Sequence, residues 1–138
     1  MRILIVDDEE VLRDVLETVL RREGFDVLLA SSGEEALSVL DGADEIDLVI
    51  LDIMLPGISG IDTLRSIRVS TPALPVIIIT AFSSIDGAIE AMKHGAFHYI
   101  PKPFKNEEVV LTVNKALEQR RLSNENERLK EELAARGV

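Results

Sequence analysis

The chain has no cysteine among its 138 residues, which excludes a disulfide framework and any thiolate metal site. Histidine is scarce. His94 and His98 are the two present; neither has a partner at metal-ligand spacing, and both read as ordinary surface or half-buried residues. No apolar run approaches the ~18 residues of a membrane span, so no membrane partner is expected. The apolar stretch after Arg2 is too short for a signal peptide and is itself a good strand, which makes a soluble cytoplasmic protein the expectation. Neither Gly-x-Gly-x-x-Gly nor Gly-x-x-x-x-Gly-Lys-Ser/Thr occurs, disfavouring dinucleotide and P-loop chemistry. Bases are outnumbered, and the formal net charge is −10. From residue 118 onward five acids (Glu118, Glu125, Glu127, Glu131, Glu132) balance five bases (Arg120, Arg121, Arg128, Lys130, Arg136), so the excess lies in residues 1 to 117. An acidic body repels phosphate backbones, and direct nucleic-acid binding is not expected.

What is present is an alternation of strand and helix, five times over, in a length that suits one domain. Ile3 to Val6 is a buried strand closed by Asp7-Asp8. Val11, Leu12, Val15, Leu16, Val19 and Leu20 then recur at helical spacing up to Gly24. Phe25 to Ala30 is the second strand, and Ser32 with Glu35 forms a capping box for a short helix through Leu40. Leu48 to Leu51 is a continuous apolar run, as in a strand covered on both faces, and it stops at Asp52 before a Pro56-Gly57 turn. Ile61, Leu64 and Ile67 mark a third helix, and Val76 to Ile79 a fourth strand ending on Thr80. Ile85, Ala88, Ile89 and Met92 define a fourth helix, and Phe97 to Ile100 a fifth strand before Pro101-Lys102-Pro103. Asn106 is read as the cap of a last helix with Val109, Val110, Val113, Ala116 and Leu117 on its inner face. The pattern predicts an α/β, flavodoxin-like, doubly wound five-stranded parallel sheet of order 2-1-3-4-5. Helices would cover both faces, with an extended helix at the C-terminus.

Polar residues stand at the carboxyl ends of these strands, where open α/β sheets bind ligands. The first strand supplies Asp7 and Asp8, the third Asp52, the fourth Thr80, and the loop after the fifth Lys102. Taken alone, Asp52 is as readable as a helix cap as it is as a nucleophile. In the predicted order the first and third strands are neighbours, bringing three carboxylates together with Thr80 and Lys102 on the far rim. Clustered carboxylates repel, and a hard cation such as Mg²⁺ resolves the repulsion with carboxylates, a carbonyl and waters. The set has the nucleophile, metal and positive charge that phosphoryl transfer to a carboxylate needs, and no general base.

On the paired acids in Val6-Asp-Asp-Glu9, on Asp52 in Leu51-Asp-Ile-Met-Leu-Pro56-Gly57, and on Thr80-Ala81 and Lys102-Pro103, the chain resembles the receiver domain of two-component response regulators. The resemblance runs from residue 1 to about 120 without a gap. It implies that Asp52 is the phosphoacceptor of a sensor histidine kinase, and that Asp7, Asp8, Asp52 and the backbone carbonyl of Met54 hold Mg²⁺. Lys102 would hold the phosphoryl oxygens, a cis bond would precede Pro103, and Thr80 with Tyr99 would form the switch pair. Met54 and Phe82, both bulky and apolar, would restrict water and lengthen the life of the acyl phosphate. The module would be a switch rather than a turnover enzyme. The alternative is an aspartyl-phosphate phosphatase or phosphotransferase of the haloacid-dehalogenase type, but those carry Asp-x-Asp and here Met54 stands two after Asp52. A degenerate interaction domain is opposed by the intact acids, Thr80 and Lys102.

A receiver domain over 1–118 would leave 119–138 as a helical linker. Counting heptads gives Gln119, Leu122, Asn126, Leu129 and Leu133 at a/d positions, with Asn126 setting register and Glu125 placed to meet Lys130 of a parallel partner. The stretch from Leu122 to Leu133 looks like the linker to the AAA+ ATPase domain of NtrC-like transcription activators, in which a DNA-binding domain follows. Neither domain is in this sequence, so the chain reads as the regulatory fragment of a longer protein, dimeric through this helix.

Overall fold

Along β1 (Arg2–Val6) and β3 (Leu48–Leu51) successive side chains go to opposite faces of the sheet, as the two-residue period of a strand requires. Ile3, Ile5, Leu48 and Ile50 join one core cluster, while Leu4, Val6, Val49 and Leu51 join another. The sequence is apolar at every one of these positions because both faces are covered, and each fully buried Ile or Leu contributes about 2 kcal/mol. A few such side chains outweigh one poorly neutralised carboxylate at a strand end. That surplus lets the sheet carry a charged site at its rim.

The computed structural model describes residues 1–42, 45–81 and 84–135. Among them, β1 and β3 are joined by β2 (Asp26–Ala30), β4 (Val76–Thr80) and β5 (His98–Pro101) in a parallel sheet of order 2-1-3-4-5, as the alternation predicts. The first cluster lies under α1 (Glu10–Arg22) and α5 (Asn106–Ala135) through Leu16, Leu20, Val109, Val113 and Ala116. The second lies under α2 (Gly33–Leu40), α3 (Gly60–Ser70) and α4 (Ile85–Lys93) through Ala36, Leu64, Ile67 and Ala91.

Local chemistry starts the helices, with some departures from expectation. The Ser32 hydroxyl accepts the Glu35 N–H, but the returning arm of the capping box reaches Ser31, whose hydroxyl donates to the Glu35 carboxylate at 2.9 Å. Ser59 and Ser84 cap α3 and α4 in the same way, accepting the N–H groups of Asp62 and Gly87. Asn106 is not a cap. It is the first residue of α5, and the Lys105 carbonyl accepts the Glu108 and Val109 N–H groups. The apolar stripe of α4 faces outward, with Ile85 at 78% exposure and Ile89 and Met92 near half, while small Ala91 meets the sheet. α5 is a single helix of 30 residues, about 45 Å long at 1.5 Å per residue. From residue 121 to 135 every side chain is exposed, so this half belongs to neither core cluster.

Candidate functional site

Parallel pairing sets Val6 opposite Leu51, so the residues that follow leave the sheet side by side. The ladder continues one step into them: the Asp7 N–H donates to the Ala30 carbonyl at 3.1 Å, and the Asp52 N–H to the Val6 carbonyl at 3.0 Å. Both side chains are buried, while Asp8 and Glu9 are exposed, and ligand oxygens of all four lie within 4.8 Å of one another. The β3–α3 turn is drawn tight behind Asp52 by Gly60. A Cβ there would lie 2.3 Å from the Asp52 carbonyl oxygen and 2.4 Å from Ile53 Cα, and the Gly60 N–H donates to the Ile53 carbonyl at 2.9 Å.

Lys102 enters from the loop after β5, held by its own N–H to the Thr80 carbonyl at 2.9 Å. Its Nζ donates to Asp52 Oδ2 at 2.9 Å, Asp7 Oδ2 at 3.0 Å and Glu9 Oε1 at 3.3 Å. Lys102 is thus at the centre of the acids and not on their far rim, because its long side chain reaches to the charges that neutralise it. The Lys102–Pro103 peptide is cis, as the resemblance implies. Asp52 is not free in this state: Oδ1 accepts the Met54 N–H at 2.9 Å and Oδ2 is held by Lys102. Asp7 Oδ1 accepts the Glu9 N–H at 2.8 Å, and Arg13 Nη1 donates to the Asp7 carbonyl at 2.6 Å. Glu9 and Arg13 were not singled out from the sequence. Glu9 adjoins the acidic pair and was open to notice; Arg13 shows nothing in the sequence that separates it from a surface helix residue.

One ammonium faces four carboxylates. Burial pushes the Asp7 carboxyl above its ordinary range, outweighing the Glu9 N–H and Lys102, and the Asp52 charge adds to the rise. On Lys102 burial opposes the charge, yet the hydrogen bonds to Asp52 and Asp7 hold its ammonium well above the usual lysine range. Lys102 is thus well satisfied, while Asp7 still lacks positive charge at a place where four carboxylates lie within 4.8 Å of one another. A compact set of hard oxygen donors with surplus negative charge is what a small divalent cation requires.

Thr80, fully buried, ends β4, and Tyr99, half-buried on β5, stands in register with Ile78. Burial first, then the charge of Asp52, raises the Tyr99 phenol above its ordinary value, so Tyr99 feels the state of that carboxylate. The Met54 side chain is 58% exposed and Phe82 lies outside the described residues. Leu122, Leu129 and Leu133 are 44 to 51% exposed along α5, with Asn126 also exposed, some distance in sequence from the acids. Glu125 pairs with Arg128 of its own helix at 3.0 Å.

The model of the response regulator receiver domain family matches residues 3–114. The chain is 40% identical over 126 residues to the transcriptional regulatory protein CpxR of Escherichia coli K12, covering 91% of this chain and 53% of CpxR. It is 40% identical over 130 residues to a putative response regulator NtrX-like of Rickettsia bellii, covering 93% of this chain and 27% of that protein. The crystal structure of NtrX from Brucella abortus in complex with ADP superposes with a TM-score of 0.88 at 35% identity, over 93% of this chain and 29% of that one. The chain thus spans about half of the first relative and about a quarter of the second.

Proposed function

The chain belongs to the response regulator receiver domain family, and on that premise we propose that Asp52 is its phosphoacceptor, charged by a sensor histidine kinase. Domains of this family are signalling switches and not turnover enzymes. The observation that carries the residue-level reading is Lys102 Nζ bridging Asp7 and Asp52 at 3.0 and 2.9 Å in a pocket of four acids.

Asp7, Asp8, Asp52 and the Met54 carbonyl would hold Mg²⁺, with Glu9 a further oxygen donor within reach of the same cluster. When bound, the ion supplies positive charge for the phosphoryl oxygens. The chain's own residues do the rest. An Asp52 carboxylate oxygen attacks phosphorus in line, the P–N bond to the donor histidine breaks with its electron pair going to the imidazole, and no proton need leave Asp52. Lys102 moves its donors from the carboxylates to the transferred oxygens. The Thr80 hydroxyl donates to the phosphoryl group and the Tyr99 ring turns inward behind it, a population shift of a few kcal/mol. Met54 and Phe82 would slow hydrolysis, so shortening Met54 is expected to shorten the life of the phosphorylated protein.

Residues 1–118 form the receiver unit in this reading, and 119–138 a linker that dimerises through Leu122, Asn126, Leu129 and Leu133. In a longer protein it would lead to an AAA+ effector and a DNA-binding domain. Support comes from the similarity to NtrX-like proteins and from an exposed helix carrying spaced leucines. The test uses acetyl phosphate and Mg²⁺ on the purified chain, read by intact mass. One hydroxylamine-labile phosphoryl adduct is expected, absent in Asp52→Asn. No adduct on the wild type would refute phosphoacceptance, and catalytic turnover of a phosphoester would instead favour the haloacid-dehalogenase-type reading.

A further inference from the structure

The segment after Asp52 has to stay still if its backbone is to serve the site, and it is fastened at both ends. At the near end Met54 donates to Asp52 Oδ1, while Leu55 and Gly60 both donate to the Ile53 carbonyl. At the far end the fastening comes from another element, 24 residues away: Glu34, in the first turn of α2, accepts the Ile58 N–H on Oε1 at 2.8 Å. The fit around this bond is close. Gly57 has φ +76°, and a Cβ on it would lie 2.6 Å from Glu34 Oε1. Gly33 is buried, and a Cβ there would lie 2.2 Å from Thr63 Oγ1 and 2.7 Å from Ile58 Cγ1. The start of α2 is thereby seated on the loop and on α3. The Ile58 N–H, then Glu34's own N–H, hold the carboxyl below its ordinary range, so the acceptor is an anion over the pH range of interest.

We propose that Glu34 is a positioning residue for the cation site: by anchoring Ile58 it fixes the 53–58 segment, and with it the Met54 backbone group that would ligate Mg²⁺. The inference rests on the functional reading above. Glu34 is not one of the clustered carboxylates, and acts through the loop. Groups that orient a ligand without binding the metal typically affect affinity by an order of magnitude or more. A backbone ligand with a second fastening at Met54 is expected to respond at the lower end.

The experiment compares wild type, Glu34→Ala, Glu34→Gln and Glu35→Ala, the last loosening the α2 start through Ser31 without touching Ile58. Amide exchange of the metal-free proteins by NMR reads the anchor, calorimetry with MgCl₂ reads the site, and acetyl phosphate labelling against Mg²⁺ concentration reads function. Glu34→Ala is expected to speed exchange at Ile58 and to weaken Mg²⁺ binding roughly five- to ten-fold. Its labelling rate at saturating Mg²⁺ should stay within about two-fold of wild type, the pattern of a lost binding contribution. Glu34→Gln, which keeps an acceptor, and Glu35→Ala should both lie near wild type. Unchanged Mg²⁺ affinity in Glu34→Ala overturns the inference, as does a fall in saturating rate at unchanged affinity, or an equal loss in Glu35→Ala. If the wild type neither binds Mg²⁺ nor takes up a phosphoryl group, the functional reading itself falls and this inference with it.

Discussion

Asp7 is buried at a strand end beside Asp52, and its proton affinity sets how the metal-free site weighs on the fold. Its carboxyl is raised above 3.8, with burial the leading cause. An acid raised on folding binds its proton more tightly in the native state. Its contribution to stability is therefore full below the unfolded value and is lost as pH climbs through the raised one. Asn mimics the protonated form and can still accept the Glu9 N–H. Asp7→Asn is thus expected to melt higher than wild type near neutral pH in chelator, with the gap closing as pH falls toward the ordinary carboxylate value. Mg²⁺ should raise the melting temperature of wild type far more than that of the variant. A lower melting point for Asp7→Asn at every pH would contradict this account. Asp7, Asp8, Asp52 and Lys102 were readable because they follow the ends of apolar strands, whereas Glu9, one step further on, was not singled out. The hydrogen-bond state was not readable. Lys102 bridging Asp7 and Asp52, and Glu34 reaching Ile58, join residues 95, 50 and 24 apart, and no local pattern encodes such pairings.

At the scale of the element, strands were the most legible feature, since continuous apolar runs covered on both faces have few other readings. Helix faces were less so. The stripe of Ile85, Ile89 and Met92 on α4 looks like a core face but stands in solvent, because the space over the sheet is filled by Ala91. Caps resolved to within one residue, and the serine hydroxyls of Ser32 and Ser59 did as their chemistry suggests. The junction of β3 with α3 gives a quantitative check. Adding a Cβ at Gly60 drives it into backbone atoms of Asp52 and Ile53, which cannot give way as a flexible side chain would. Gly60→Ala should cost about 2–3 kcal/mol, in the range of overpacked cores. Gly24 differs: its φ is +91° but nothing lies within 4 Å of a new Cβ, so Gly24→Ala should cost roughly 1 kcal/mol from backbone strain alone. Urea unfolding at constant m-value separates the two, and equal costs would refute the steric argument for Gly60.

The whole molecule has two ends, the acidic rim and the departing helix, and Arg120 fastens the second of them to the sheet. Its Nη1 donates to the Asp47 carbonyl at 2.8 Å and the Ile46 carbonyl at 3.3 Å, just before β3, while the Asp47 carboxylate accepts the Arg2 N–H at 2.7 Å. Arg120 thus ties α5 to the end of the central strand β3 that lies opposite the acids, and beyond it every described side chain of the helix is exposed. Isolated helices of about 15 residues are marginal in water. This one grows from an already formed helix and carries the exposed pairs Glu118–Arg121 and Glu125–Arg128 at a spacing that favours a helix. Those pairs favour the helix but leave Leu122, Leu129 and Leu133 half in solvent. A second copy packed along that stripe would cover them. The wild-type chain is accordingly expected to scatter light as a dimer and Leu129→Glu as a monomer. Because Leu129 is exposed and belongs to neither core cluster, the variant should keep its Mg²⁺-dependent labelling at Asp52 and its core unfolding free energy within about 0.5 kcal/mol of wild type. Equal monomeric masses for the two proteins would leave the leucine stripe without a dimeric role, and a loss of labelling in Leu129→Glu would mean that α5 reaches the acidic rim more directly than the anchor at Arg120 implies.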